Sequence, residues 1–80
     1  MKSKKKILIV DDSLTILKAV KSLIDESYVY EPFYASTFEQ ARQLIEEHQF
    51  FVAILDLELP DAAHGEVVDY AITHKIHSIV

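Results

Sequence analysis

Ile7-Leu8-Ile9-Val10-Asp11-Asp12-Ser13 is the stretch that decides the fold. Four apolar residues in succession, three of them β-branched, leave no alternation between a wet and a dry face. Such a run reads as a strand buried on both faces, the condition of a strand inside a parallel sheet. It stops at Asp11, Asp12 and Ser13, whose short polar side chains accept hydrogen bonds from the free backbone N–H groups at a helix start. The helix they predict has Ile16, Leu17, Val20, Leu23 and Ile24 at i, i+1, i+4, i+7 and i+8, one apolar stripe, with Lys18, Lys21 and Asp25 off it.

Outward from there the alternation repeats. Tyr28 to Ala35 carries Val29, Phe33 and Tyr34 but is interrupted by Pro32, so it is expected at a sheet edge or to begin at the proline. Ser36 and Thr37 each precede an acid or amide by three residues (Glu39, Gln40), the capping-box spacing, and Phe38, Ala41, Leu44 and Ile45 supply the next helix's apolar face. Phe51-Val52-Ala53-Ile54-Leu55 is a second fully apolar strand and ends abruptly at Asp56. Pro60 and Gly65 bracket a loop, Val67, Val68, Ala71 and Ile72 mark a short third helix, and Ser78-Ile79-Val80 begins a fourth strand. The order β-α-β-α-β-α-β implies an α/β, doubly wound parallel sheet with right-handed crossovers.

The 80 residues hold one domain, not two. There is no cysteine, which excludes disulfides and thiolate metal sites. The longest apolar run is Phe50 to Leu55, too short to span a membrane, and no stretch resembles a signal peptide, which argues for the cytoplasm. The formal charge of −5 is uneven: Lys2, Lys4, Lys5 and Lys6 cluster at the start, and beyond them thirteen acids face four bases, a net of −9. So acidic a body repels nucleic-acid phosphates, and the lysines read as a solubilising tail, so no nucleic-acid binding is expected. The single glycine excludes a dinucleotide fingerprint. His74 and His77, three apart with a helix end expected between them, read as exposed side chains rather than metal ligands, and Tyr28, Tyr30, Phe33 and Tyr34 as packing.

The acids carry the chemistry. In a doubly wound sheet, ligands bind beyond the carboxyl ends of the strands where the strand order reverses. Both fully apolar strands end in aspartate; if they are neighbours, Asp11, Asp12 and Asp56 meet in one crevice. At about 5 Å and an effective dielectric near 20, each carboxylate pair repels by roughly 3 kcal/mol, so the cluster calls for a cation or a bound proton. Three oxygen ligands with room for water suit Mg2+. Read singly, each aspartate could as well be a helix cap at a strand end; their convergence is what favours a site.

Ile7-Leu8-Ile9-Val10-Asp11-Asp12-Ser13 and Val52-Ala53-Ile54-Leu55-Asp56-Leu57-Glu58-Leu59-Pro60 together resemble the receiver domains of response regulators in bacterial two-component signalling. The resemblance implies a flavodoxin-like receiver fold with strand order 2-1-3-4, residues 1–80 being the N-terminal portion of a single receiver domain whose fifth strand and last two helices are absent. It implies that Asp56 is the phosphoacceptor, Asp12 a direct metal ligand, Asp11 a ligand through water, and Glu58 a ligand through its backbone carbonyl. The chemistry implied is in-line attack of Asp56 on a phosphohistidine with Mg2+ neutralising the phosphoryl oxygens. The partner is then a sensor histidine kinase or phosphotransfer protein, and the domain a signalling module rather than an enzyme, its output not encoded in this chain.

Two departures from the family pattern stand out. Gly65 comes nine residues after Asp56 and follows His64, where the family usually has an aspartate-glycine pair with glycine eight after the acceptor, so the loop is one residue longer. The hydroxyl residue, lysine and aromatic switch residue of the later strands do not occur before Val80. A truncated or degenerate receiver acting only as an interaction module, self-associating through an exposed fourth strand, is the alternative. A haloacid-dehalogenase-type phosphatase, suggested by Asp56-Leu57-Glu58, leaves Asp11 and Asp12 unexplained.

Overall fold

A computed structural model describes residues 4–26 and 28–80; Lys2 of the lysine cluster lies outside the described residues. The elements are β1 (Lys5–Val10), α1 (Leu14–Ile24), β2 (Tyr30–Ala35), α2 (Phe38–Glu47), β3 (Val52–Leu55), α3 (Glu66–Thr73) and β4 (Ser78–Ile79). The strands form one parallel sheet in the order β2-β1-β3-β4. The doubly wound architecture and strand order expected from the apolar runs are those observed.

β1 lies between β2 and β3, which explains why Ile7 to Val10 are all apolar: each is buried. Successive side chains point to opposite faces. Leu8 and Val10 join Ala35, Ala53 and Leu55 in a core closed by Ala41 and Ile45 of α2 and by Val67 and Ala71 of α3. Ile7 and Ile9 turn to the other face, outside that cluster, where α1 packs along β2. Pro32 lies in β2, which pairs with β1 alone among the described strands, so its missing N–H costs no central ladder bond. The helix starts match the capping residues: Ser13 Oγ accepts from Ile16 N at 3.3 Å, and Thr37 Oγ1 accepts from Gln40 N at 3.1 Å.

Three expectations need correction. Lys5 and Lys6 are strand residues rather than a loose tail. The Lys5 ammonium lies 4.2 Å from the centre of the Phe51 ring, and Lys6 Nζ lies 3.1 Å from His48 Nδ1. Phe51 precedes β3 and is exposed, because the amino end of the sheet offers it a cation instead of a core. The stripe of α1 is present but no residue of that helix is fully buried: Leu17, Val20 and Ile24 are partly covered, while Ile16, 46% exposed, and Leu23, 77% exposed, stand at the margin of the stripe. α2 and α3 pack against each other over their face of the sheet, whereas α1 has no helical neighbour among the described residues.

Candidate functional site

The strand order changes direction between β1 and β3. Val10 and Leu55 are register partners there, the last residues of their strands. The ladder continues one step: Asp56 N donates to Val10 O at 2.9 Å, and Asp11 N donates to Ala35 O at 3.0 Å. Asp11 and Asp56 are thereby held side by side at the carboxyl end of the sheet.

Local hydrogen bonds then orient the side chains. Asp11 Oδ1 accepts from Ser13 N at 2.9 Å, a turn that leads into the Ser13 cap of α1. Asp56 Oδ1 accepts from Glu58 N at 3.0 Å, which folds the following loop back over the acid. Asp12, between Asp11 and the cap, is exposed. One carboxylate oxygen from each of Asp11, Asp12 and Asp56 lies within 4.8 Å of the others. None of the three is in an ion pair with a described side chain. Three hard oxygen donors, open to water on the Asp12 side, fit a hydrated divalent cation of the magnesium type. Among the described residues this is the only such group of three or more potential ligands. The Glu58 carbonyl stays an expectation, its amide being the part of Glu58 placed against Asp56. His74 and His77 are exposed and outside the group, His74 being stacked on Tyr70 at 4.2 Å.

The loop beyond Asp56 is more ordered than its length implied. Gly65 N donates to Leu57 O at 3.0 Å, closing its base, and Leu59 and Ala62 exchange two backbone hydrogen bonds at 3.2 Å. Gly65 has φ +75°, and a Cβ there would meet Leu57 Cδ2 at 3.2 Å, so glycine is favoured over a strained side chain at the position that ends the loop. At the tip, Asp61 accepts from Phe38 N at 2.8 Å and from Glu39 N at 3.0 Å, capping α2 from outside. Sequence reasoning missed this contact. The partners are 22 and 23 residues apart, and a carboxylate after a proline carries no local mark of which helix it will cap.

These N–H groups, Phe38 first, hold the Asp61 carboxyl below the usual carboxylate range, and the Arg42 guanidinium does the same for Glu39. A carboxyl lowered in the folded state contributes stability that is complete above its unfolded value and lost as pH falls through the folded one. The melting temperature is therefore expected to fall on acidification below about pH 4, and to fall less steeply in Asp61→Asn. Thermal melts across that range check it, and an equal slope in both proteins would contradict it.

The comparisons with solved structures agree on one architecture. The signal receiver domain of an HD domain-containing protein from Pseudomonas fluorescens Pf-5 matches with a TM-score of 0.83 at 22% identity, over 91% of this chain and 53% of that one. The signal receiver domain of a protein described as a Luxo repressor, from Vibrio parahaemolyticus, matches at 0.80 and 29%, over 95% and 58%. This chain has the receiver fold. The MaeR response regulator bound to beryllium trifluoride matches at 0.79 and 19%, over 94% and 64%. The chain thus spans less than two thirds of the length of each. No protein-family model and no curated protein matches the sequence. In the receiver fold seen here the acidic group sits at the switch point between β1 and β3. No helix among the described residues is long and apolar enough to cross a membrane.

Proposed function

We propose that this chain is the phosphoryl-accepting portion of a two-component response regulator, with Asp56 as acceptor. The observation that carries the reading is the meeting of Asp11, Asp12 and Asp56 within 4.8 Å at the switch point of a receiver-fold sheet. Asp11, Asp12, Asp56 and the backbone carbonyl of Glu58 would hold a Mg2+ ion. That ion supplies positive charge against the equatorial oxygens of a transferring phosphoryl group.

The chain's own residues do the rest. The hydrogen bond from Glu58 N engages one oxygen of Asp56 and orients the carboxylate. An Asp56 oxygen attacks the phosphorus of a phosphohistidine on a sensor kinase or phosphotransfer protein. The new O–P bond forms as the P–N bond breaks, and its electron pair returns to the imidazole nitrogen. The beryllium trifluoride carried by MaeR, a structure at 19% identity, has the shape and charge of a phosphoryl group and is in keeping with this chemistry. The setting is the bacterial cytoplasm, the role is signalling rather than turnover, and the acidic body does not engage nucleic acid. The second reading, an interaction module that takes no phosphate, is favoured by one observation, the exposure of Ile16 and Leu23 at the margin of the α1 stripe.

Divalent-metal binding separates the two. Manganese bound by the full-length natural protein, followed by electron paramagnetic resonance, is expected to weaken about tenfold or more in Asp12→Ala, a loss of at least about 1.4 kcal/mol. Unchanged affinity in the variant would remove the metal assignment and leave the interaction module standing.

A further inference from the structure

The loop from Leu57 to Gly65 is tied to a sequence-distant element by hydrogen bonds at one residue among those described. That residue is Asp61, whose two carboxylate oxygens take the N–H groups of Phe38 and Glu39. The remaining N–H of that first turn, from Gln40, is taken locally by Thr37. Of the three N–H groups of the first turn of α2, one is therefore capped by the helix's own sequence and two by the loop that follows Asp56.

The path from that cap back to Asp56 is short and has little slack. Asp61 sits at the tip of a turn whose arms, Leu59 and Ala62, are bonded to each other and buried at 2% and 3% exposure. Gly65 N closes the base of the loop on Leu57 O. Glu58 then donates its N–H to the Asp56 carboxylate. Between the buried Leu59 and Asp56 only Leu57 and Glu58 intervene, both exposed and without a core anchor of their own. Their placement beside Asp56 depends on the Gly65–Leu57 bond, on buried Leu59 and on where the tip of the loop is pinned.

We infer that Asp61 is a positioning residue for the acidic site: by gripping the first turn of α2 it holds the loop so that Glu58 stays against Asp56. The inference rests on the proposed function for its metal readout alone. Groups that orient a metal's ligands without touching the metal typically change affinity by 10- to 100-fold when removed. Asp61 acts one step further out, so about the lower end of that range is expected.

The bland account is that Asp61 merely stabilises α2. Thr37→Ala separates the two accounts, because it removes a cap from the same helix turn without touching the loop. Two readouts are taken on the full-length natural protein: manganese affinity, and amide hydrogen exchange at Glu58 without metal. Asp61→Asn is expected to weaken manganese binding about tenfold and to speed exchange at Glu58, Phe38 and Glu39. Thr37→Ala is expected to lower the melting temperature while leaving manganese affinity and Glu58 exchange as in the wild type. If Asp61→Asn fails to fold, Asp61→Glu keeps the negative charge at the helix end on a longer arm, and faster Glu58 exchange is expected there too. Unchanged Glu58 exchange in the Asp61 variants, or equal changes in Thr37→Ala, would overturn the inference. A wild-type protein that takes no manganese would instead count against the functional reading, with Glu58 exchange still deciding the role of Asp61.

Discussion

Asp56→Asn is expected to abolish phosphoryl uptake. With magnesium and a small acyl-phosphate donor, the full-length natural protein should gain a single phosphoryl group, released by hydroxylamine as an acyl phosphate is. The variant should gain none. The two side chains are nearly isosteric, and an asparagine carbonyl can still accept the hydrogen bond that Glu58 N now gives to Asp56 Oδ1 at 3.0 Å. The backbone bond from Asp56 N to Val10 O does not involve the side chain. The substitution thus removes the nucleophilic oxygen and one unit of charge with little structural cost. Intact-mass measurement reads the outcome directly. Equal labelling of wild type and variant would place the acceptor elsewhere and remove the central claim of the proposed function.

Residues 1–80 taken alone are expected to self-associate rather than persist as a monomer. Ile16 and Leu23, at the margin of the α1 stripe, expose 46% and 77% of their surface, and Ile79 of β4 exposes 53%. Covering what Ile16, Leu23 and Ile79 still expose contributes roughly 4 kcal/mol per chain, at about 1.5–3 kcal/mol for a fully buried residue. In a two-fold dimer both copies contribute, against an association cost of several kcal/mol in lost freedom. β4 pairs only with β3 among the described strands, and a free strand edge is a template for another chain. With that cost at its lower end of about 4 kcal/mol, about 4 kcal/mol remains, which corresponds to association in the millimolar range. Sedimentation equilibrium across that concentration tests it, with Leu23→Lys expected to shift the distribution toward monomer. A concentration-independent monomer with a sharp thermal transition would show that these exposed side chains are tolerated without a partner.

Much of this molecule is legible in its sequence, for reasons that are local. Ile7 to Val10 admit no wet face, so the strand they form had to be central, and the sheet parallel. Thr37 and Ser13 announce helix starts because a cap and its N–H lie three residues apart. Asp11 and Asp56 mark the site because each directly follows a buried strand. Their meeting was conditional on β1 and β3 being neighbours, and the strand order satisfies that condition.

Other features depend on what lies across space. The period of α1 states which side of the helix is apolar, but not whether anything covers it; among the described residues Leu17, Val20 and Ile24 are only partly covered and Ile16 and Leu23 are exposed, since no second helix packs closely beside α1. Phe51 has the composition of a core strand residue and is exposed, because the chain places it at the amino end of the sheet beside Lys5. Lys5 and Lys6 look like a soluble tail by charge, yet backbone pairing with β2 draws them into β1. Asp61 is the furthest from local prediction. Its partners are N–H groups left over by a helix that starts 23 residues earlier, and only the folded loop brings the carboxylate to them. Sequence periodicity reports the faces and ends of each element; which ends meet is decided by the packing of the whole chain.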